Sequence, residues 1–375
     1  MKNTSLFDVL VVYSDGIATS ASSKEPSSQL PFSQDSGRAN YNYAYAYFLE
    51  MCSENNLKAA FTTSSDITGA GSCSSYWLLE KNKWLKVNKQ CYSSLIFDKF
   101  SPINDLQKLR RDTLFSNSVI QPFNAEPLFS IFFDKQKTYT HLKDFAIPTV
   151  AINKLDQLSI KRAIAILRKL IHSHVQKQDF SRNLVLKDRY GAGGNGIYSI
   201  SSHKAEKEIR NLMKNNRKIS FILQPFVNFD KGIYEEYSGF IDFRIIYLGR
   251  KIIQAFVRTA KKNDFRCNVH QGGMISYISP DEIPLKVKRM SEKIITFLNE
   301  DKALFSLDYI ISNRGNVYLL EGNCGPGVNW DLSDKVDARM TKKLIRQIVV
   351  SLSQRVATNS TASLPLSFEN TKIVN

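Results

Sequence analysis

Three oxygen-bearing side chains, Asp308, Glu321 and Asn323, carry the clearest chemical signal in the sequence. They lie in FSLDYIISNRGNVYLLEGNCGPGVNW (305–330), where two β-branched and aromatic runs flank Asn313-Arg314-Gly315-Asn316, a composition that predicts a β-hairpin. With Arg314 and Gly315 at the tip, Asn313 pairs with Asn316. The same register then sets Asp308 across from Glu321, with Cβ atoms ~4.5–5.5 Å apart. Facing carboxylates repel unless one is protonated or a cation lies between them. Asn323 follows Glu321 by two residues and so shares its strand face. Two carboxylates and an amide oxygen form a hard donor set suited to Mg²⁺ or Mn²⁺, which fills the rest of its shell with water and phosphate. The alternative is a solvated hairpin with ordinary surface charge.

The elements upstream of this hairpin decide between the two readings. NLVLKDRYGAGGNGIYSI reads as strand, glycine-rich loop, strand, with Gly191, Gly193, Gly194 and Gly196 free to close over phosphates and Lys187 at the end of the leading strand. The loop is neither a Walker A loop, since no GK[ST] follows, nor a Rossmann fingerprint, since a strand comes after it. ISFILQPFV (219–227) predicts a buried strand whose trailing backbone groups can read an adenine edge. The alternative there is a plain strand whose pairing Pro225 ends. FIDFRIIYLG and RKIIQAFVRTA, joined at Gly249-Arg250, carry Asp242, Arg244 and Arg258, and FRCNVHQGG adds Arg266, Asn268 and His270. Cations and amides beside a metal pocket suit a phosphorylated intermediate. An unbroken register puts Arg244 and Arg258 on opposite strand faces unless a bulge intervenes.

The remaining chain frames these segments. An apolar run, FDVLVVY, a Ser/Pro/Gln-rich loop over 14–38, an aromatic helix over 41–56, the strand LKAAFTT, a hairpin turning at Lys81-Asn82 and the strand SSLIFDKF together predict a small α/β domain. From Phe132 the expectation is a loop, a helix and a short strand. A helix then starts at Ser159, with His172 and His174 near its end, where protonated histidines suit the dipole better than a metal pair does. Later helices are expected after Asp281 and through VDARMTKKLIRQIVVSLSQRV, with a frayed tail from about Ala357.

Composition narrows the class. The chain has 375 residues, 43% hydrophobic and 23% charged, and no run of ~18 apolar residues, so no membrane span is expected. The short apolar N-terminal run reads as a strand rather than a signal peptide. Five cysteines without CxxC spacing point to a reduced, cytoplasmic chain. A formal net charge of +16 favours polyanionic partners without choosing among nucleotide, acidic protein and nucleic acid.

In the order FDKQKTY, VLKDRYGAGGNGI, LQPFV, DFRIIYLGRK, VRTAKKNDFRCNVHQGG, LDYI and EGNCGPG, the sequence from about Phe132 to Val356 resembles the ATP-grasp superfamily, nearest to its RimK-type and glutathione-synthetase-type carboxylate–amine ligases. The resemblance implies an α/β (α+β) ATP-grasp fold. In it, residues 1–130 form an N-terminal domain and residues 131–356 form two lobes, 131–228 and 229–356, that hold ATP between them. A tail over 357–375 follows. It also implies that Lys135 and Lys187 hold phosphates beneath Gly193 and Gly194, and that Gln224, Phe226 and Val227 frame the adenine. Asp308, Glu321 and Asn323 would bind two Mg²⁺, with Mn²⁺ as a substitute, and Arg258, Arg266 and Asn268 would face the transferred phosphoryl group. Gln224 stands where a Glu is common, and CGPGVNW replaces the usual Asn-x-x-Pro-Gly. The implied activity is ATP-dependent activation of a carboxylate as an acyl phosphate and its capture by an amine, on a small acid, an amino acid or an acidic peptide or protein acceptor. Two other functions stay open, a non-catalytic ATP-binding regulator or scaffold and a basic nucleic-acid binder.

Overall fold

A continuous apolar run is what a strand covered on both faces requires. FDVLVVY supplies one: β2 (Val9–Tyr13), after a short β1 (Ser5–Leu6), is buried at every position. The computed structural model describes residues 4–25, 29–231 and 237–362. The chain divides into two compact units, Met1–Phe123 with Gly327–Asn375, and Asn124–Pro326. The first unit continues with α1 (Asn40–Glu54), β3 (Ala59–Thr63), β4 (Ile67–Gly69), β5 (Ser72–Cys73), β6 (Tyr76–Glu80) and β7 (Lys83–Val87). β8 (Cys91–Tyr92), β9 (Leu95–Lys99), α2 (Asp105–Leu114) and β10 (Gln121–Pro122) follow. Its main sheet runs β10-β9-β2-β3-β6-β7, parallel through the first four strands and antiparallel in the last two. The β6–β7 turn falls at Lys81 and Asn82 as expected, both with positive φ (48° and 62°), the twist that a two-residue hairpin needs.

The second unit contains α3 (Glu126–Phe133), α4 (Lys135–His141), β11 (Val150–Ile152), α5 (Gln157–Ser173), β12 (Phe180–Asp188), β13 (Ile197–Ile200), α6 (Ala205–Asn215) and β14 (Phe221–Val227). It continues with β15 (Ile241–Leu248), β16 (Lys251–Thr259), β17 (Met274–Ile278), α7 (Leu285–Leu298), β18 (Leu304–Ile311) and β19 (Val317–Asn323). Two antiparallel sheets result, β11-β14-β12-β13 and β17-β16-β15-β18-β19. Helices α5 and α6 cover the first, packing Ile160, Leu167, Ile209 and Met213 on Leu184, Leu186, Phe221 and Leu223. Helices α3 and α7 cover the second, where Phe243, Ile245, Val257, Leu307 and Tyr309 join Phe132, Val287 and Ile294 in one core. Because side chains alternate along a strand, the intervening residues Asp242, Arg244, Arg258 and Asp308 all emerge on the sheet's other face.

Several expectations need correction. Phe132 belongs to helix α3 rather than to a loop. Helix α5 starts two residues before Ser159, because the Asp156 carboxylate caps it by accepting from the Ser159 N–H. The unit boundary falls at Asn124. The terminal helix α8 (Lys335–Ala362) belongs to the first unit, where it packs on α1 and buries Leu344, Ile345, Ile348 and Leu352. It runs through residues expected to fray, and the rest of that tail, 363–375, lies outside the described residues. No helix among the described residues is long and apolar enough to cross a membrane.

Candidate functional site

The hairpin places Asp308 opposite Glu321, by a route the simple register did not foresee. Its loop is one residue longer than expected. Ser312 and Asn316 close it, Gly315 N–H donates to Ser312 O, and Gly315 takes φ 78°. That offset pairs Tyr309 with Leu319, and a bulge at Leu320 then restores Asp308 to Glu321. Asn323 lies on Glu321's face, its Nδ2 3.3 Å from Glu321 Oε1.

A second bulge settles the arginines. β15 and β16 shift register between Ile246 and Tyr247, so Arg258 pairs with Asp242 and lies on the same face as Arg244. Arg244 and Arg258 therefore act together, and the expectation of opposite faces is overturned. Arg258 holds Asp242 through two bonds of 2.6 and 2.8 Å and reaches Asp308 Oδ2 at 2.8 Å. Arg244 holds both Asp308 oxygens, at 2.7 and 2.5 Å, and comes within 3.6 Å of Glu321. Asp308 is wholly buried. Burial pushes its pKa up, but the two guanidiniums outweigh that and hold it near 2. Asp242 goes the other way: burial dominates over Arg258 and lifts it to about 6.

The Asp308–Glu321 repulsion is thus relieved by arginines. The three expected metal ligands offer hard oxygens, and Glu321 and Asn323 are partly exposed where a cation arrives with phosphate. Asp308 already accepts three charge-assisted bonds, so it joins such a set only after Arg244 withdraws. Among the described residues no three His, Cys, Asp or Glu side chains form a cation cluster by themselves. With that proviso, the donor set fits Mg²⁺ carrying mostly water and phosphate ligands.

Over this face lie two adjoining chambers of different character. One is lined by Lys135, Lys187, the loop residues Gly191 and Gly194, Arg258, Asn268 and Glu321. Lys135, at the start of α4, donates to Gly191 O. Lys187 is 7% exposed, and burial lowers its pKa to about 8, against the pull of Glu321. Gly193 and Gly194 have positive φ (68° and 78°), and a Cβ on Gly194 would come within 2.7 Å of Asn268 Oδ1. Gln271 clasps the loop from outside, its Nε2 3.1 Å from Asn195 Oδ1. The other chamber is apolar, walled by Ile147, Phe226, Val227, Phe229 and Leu320, with Gln224 among its few polar residues. Lys187, Ile197, Asn268 and Leu320 line both.

Most of the expected site residues therefore meet, with exceptions. Arg266 is not at the lysine chamber. It forms a bidentate pair with Asp264 two residues away and lines the apolar chamber. His270 is exposed beside Gly193. Of the two histidines at the end of α5, His172 is exposed, while burial lowers the pKa of His174, whose ring packs on Phe180 and Tyr318. Sequence reasoning named Asp242 and Arg244 beside the pocket without assigning either to the site, and it did not select Gln271 or Thr149. Asp242 and Arg244 had a signal in their i, i+2 spacing beside Asp308, whereas Thr149 and Gln271 act only through contacts the fold creates.

Residues 151–348, more than half of the chain, match the RimK-like ATP-grasp domain family. A probable alpha-L-glutamate ligase of Parasynechococcus marenigrum is 33% identical over 147 residues, 39% of this chain and 28% of that protein. Another, from Legionella pneumophila, is 30% identical over 172 residues, 43% of this chain and 50% of that protein. The chain thus spans half or less of the length of these relatives. Among solved structures, D-alanyl-alanine synthetase A from Vibrio cholerae superposes with a TM-score of 0.56 at 11% identity, covering 95% of this chain and 99% of that one. A RimK domain ATP-grasp protein from Sphaerobacter thermophilus gives 0.52 at 12% identity, covering 91% and 99%. At such identities the likeness concerns the fold alone, and that fold is ATP-grasp.

Proposed function

Because the chain belongs to the RimK-like ATP-grasp family, we propose that it is an ATP-dependent carboxylate–amine ligase and that the two chambers are one nucleotide site. The observation that carries this is the continuity of an apolar, amide-edged chamber with a cationic, glycine-roofed one. Adenine fits the first, between Phe226, Val227 and Gln224. The β- and γ-phosphates fit the second, under Gly193 and Gly194.

In the proposed reaction a substrate carboxylate oxygen attacks the γ-phosphorus, ADP leaves, and an amine displaces phosphate from the acyl phosphate to give an amide. Little covalent help is needed, so the protein's work is positioning and charge neutralisation. Lys135 and Lys187 neutralise the phosphates, and Asn268 and Arg258 face the transferred group. Arg258 is held rigid by Asp242 and Asp308, so it meets developing charge without reorganising. Arg266 is left out of this set and belongs to the rim of the base chamber. Mg²⁺, when bound, supplies further neutralisation of the terminal phosphates; Glu321 and Asn323 would hold it, with Asp308 once Arg244 yields.

Among substrates, the relatives' names point to L-glutamate, and the charge of +16 suits an acidic acceptor peptide or protein. ADP release measured over a panel of amino acids, alone and with Glu-rich peptides, tests this. Release that depends on glutamate and an amine supports it. Nucleotide binding with no release under any pairing leaves the regulator or scaffold reading instead.

A further inference from the structure

Thr149 lines neither chamber, yet its hydroxyl bonds to Gln224, which lines the apolar one. Its hydroxyl is 2.8 Å from the Ile147 carbonyl, to which it donates. A hydroxyl has one proton, so towards Gln224, 2.8 Å away, the same oxygen can only accept. The Gln224 group facing Thr149 is therefore the NH₂, and Oε1 is left as the amide's other end. Turning the amide over would put two acceptors together, or take the only proton from the buried Ile147 carbonyl. Thr149 and Gln224 are 2% and 6% exposed, so water offers neither an easy substitute. Among the described residues Gln224 Oε1 accepts no hydrogen bond, and Gln224 lines the apolar chamber beside Phe226 and Val227.

We propose that Thr149 is a specificity-determining positioning residue. By locking the Gln224 amide it makes that point of the base chamber an acceptor, which receives a purine bearing a 6-amino group and repels one bearing a 6-oxo group. A carboxylate at position 224 would accept whichever way it turned; a neutral amide needs an orienting partner, and Thr149 is that partner. The inference rests on the nucleotide reading above. With the lock removed the amide is free to turn, present NH₂ and welcome a 6-oxo purine.

The test is the ratio of GDP to ADP dissociation constants, measured calorimetrically on the full chain with Mg²⁺. The wild type is expected to favour ADP by about tenfold or more, the scale of one hydrogen bond made against one buried acceptor clash. Thr149→Ser keeps that ratio, because it keeps the hydroxyl. Thr149→Val drops it several-fold by gaining affinity for GDP, and Thr149→Ala carries the same comparison should the valine variant not fold. A purely structural role would weaken both nucleotides together. An unchanged ratio in the hydroxyl-less variant overturns the lock while leaving the nucleotide site standing. A wild type that binds neither nucleotide overturns that site and the lock with it.

Discussion

At the scale of single residues, Arg258 serves two buried acids at once, gripping Asp242 through Nε and Nη2 and Asp308 through Nη2. Breaking a buried pair costs more than the pair contributes, because a carboxylate is left buried and unpaired. Arg258→Leu should therefore destabilise the second unit by ~3–5 kcal/mol in urea unfolding. Glu321 is the contrasting case, partly exposed, with contacts among the described residues of 3.6 Å to Arg244 and 3.3 Å to Asn323. Glu321→Gln should leave the unfolding midpoint nearly unchanged, within ~0.5 kcal/mol, yet abolish ADP formation. Near-normal turnover by that variant would remove Glu321 from the proposed metal set. Lys187 supplies a pH dependence. Burial lowers its pKa to about 8, so in the free protein it sheds its proton far below the ordinary lysine value of 10.5. Only the charged form holds phosphate, so ADP affinity should be level near pH 7 and fall by up to about tenfold per unit above pH 8. Lys187→Arg should flatten that profile. Fold stability moves the opposite way. Above about pH 8 the native state has released a proton that the unfolded chain keeps until 10.5, so stability rises across that window.

At the scale of elements, what was legible and what was not divide along a physical line. Strand runs, the Lys81-Asn82 turn and the glycine loop between β12 and β13 follow from local composition, and the structure places them where the sequence indicates. Bulges do not follow from composition, because an inserted residue looks like any other strand residue. The Asp308–Glu321 pairing came out correctly because the longer loop at Gly315 and the bulge at Leu320 offset each other. The Arg244–Arg258 relation came out wrongly because the bulge past Ile246 had no such counterpart. Ion pairs between neighbours were equally invisible: nothing in the string says that Arg266 turns to Asp264. The glycine loop gives a prediction at this scale. Gly194 combines φ 78° with close approach to Asn268 and Gln271, so a side chain there is both strained and obstructed. Gly194→Val should weaken ADP binding by at least about tenfold and cost about 1–3 kcal/mol of fold stability, the strain of a β-branched residue at positive φ, although Gly194 belongs to neither sheet's core.

At the scale of the whole molecule, the ATP-grasp assignment covers only part of the chain. The family match spans 151–348, whereas the α8 residues that close it belong to the unit built on the parallel sheet. The sequence could not show this, since an amphipathic helix reads the same wherever its apolar face is buried, and α8 finds that face against α1. The proposed chemistry resides in the second unit, where both chambers and all the carboxylates lie. Its central claim is that those chambers form one site for an adenine nucleotide. The most direct measurement is calorimetric titration of the full chain with ADP and Mg²⁺, beside a variant carrying Lys135→Met and Lys187→Met. The wild type should take up one nucleotide per chain saturably, and the variant should lose at least about a hundredfold in affinity, two charge-assisted contacts being removed. Absence of uptake by the wild type, or equal uptake by both, would contradict that claim.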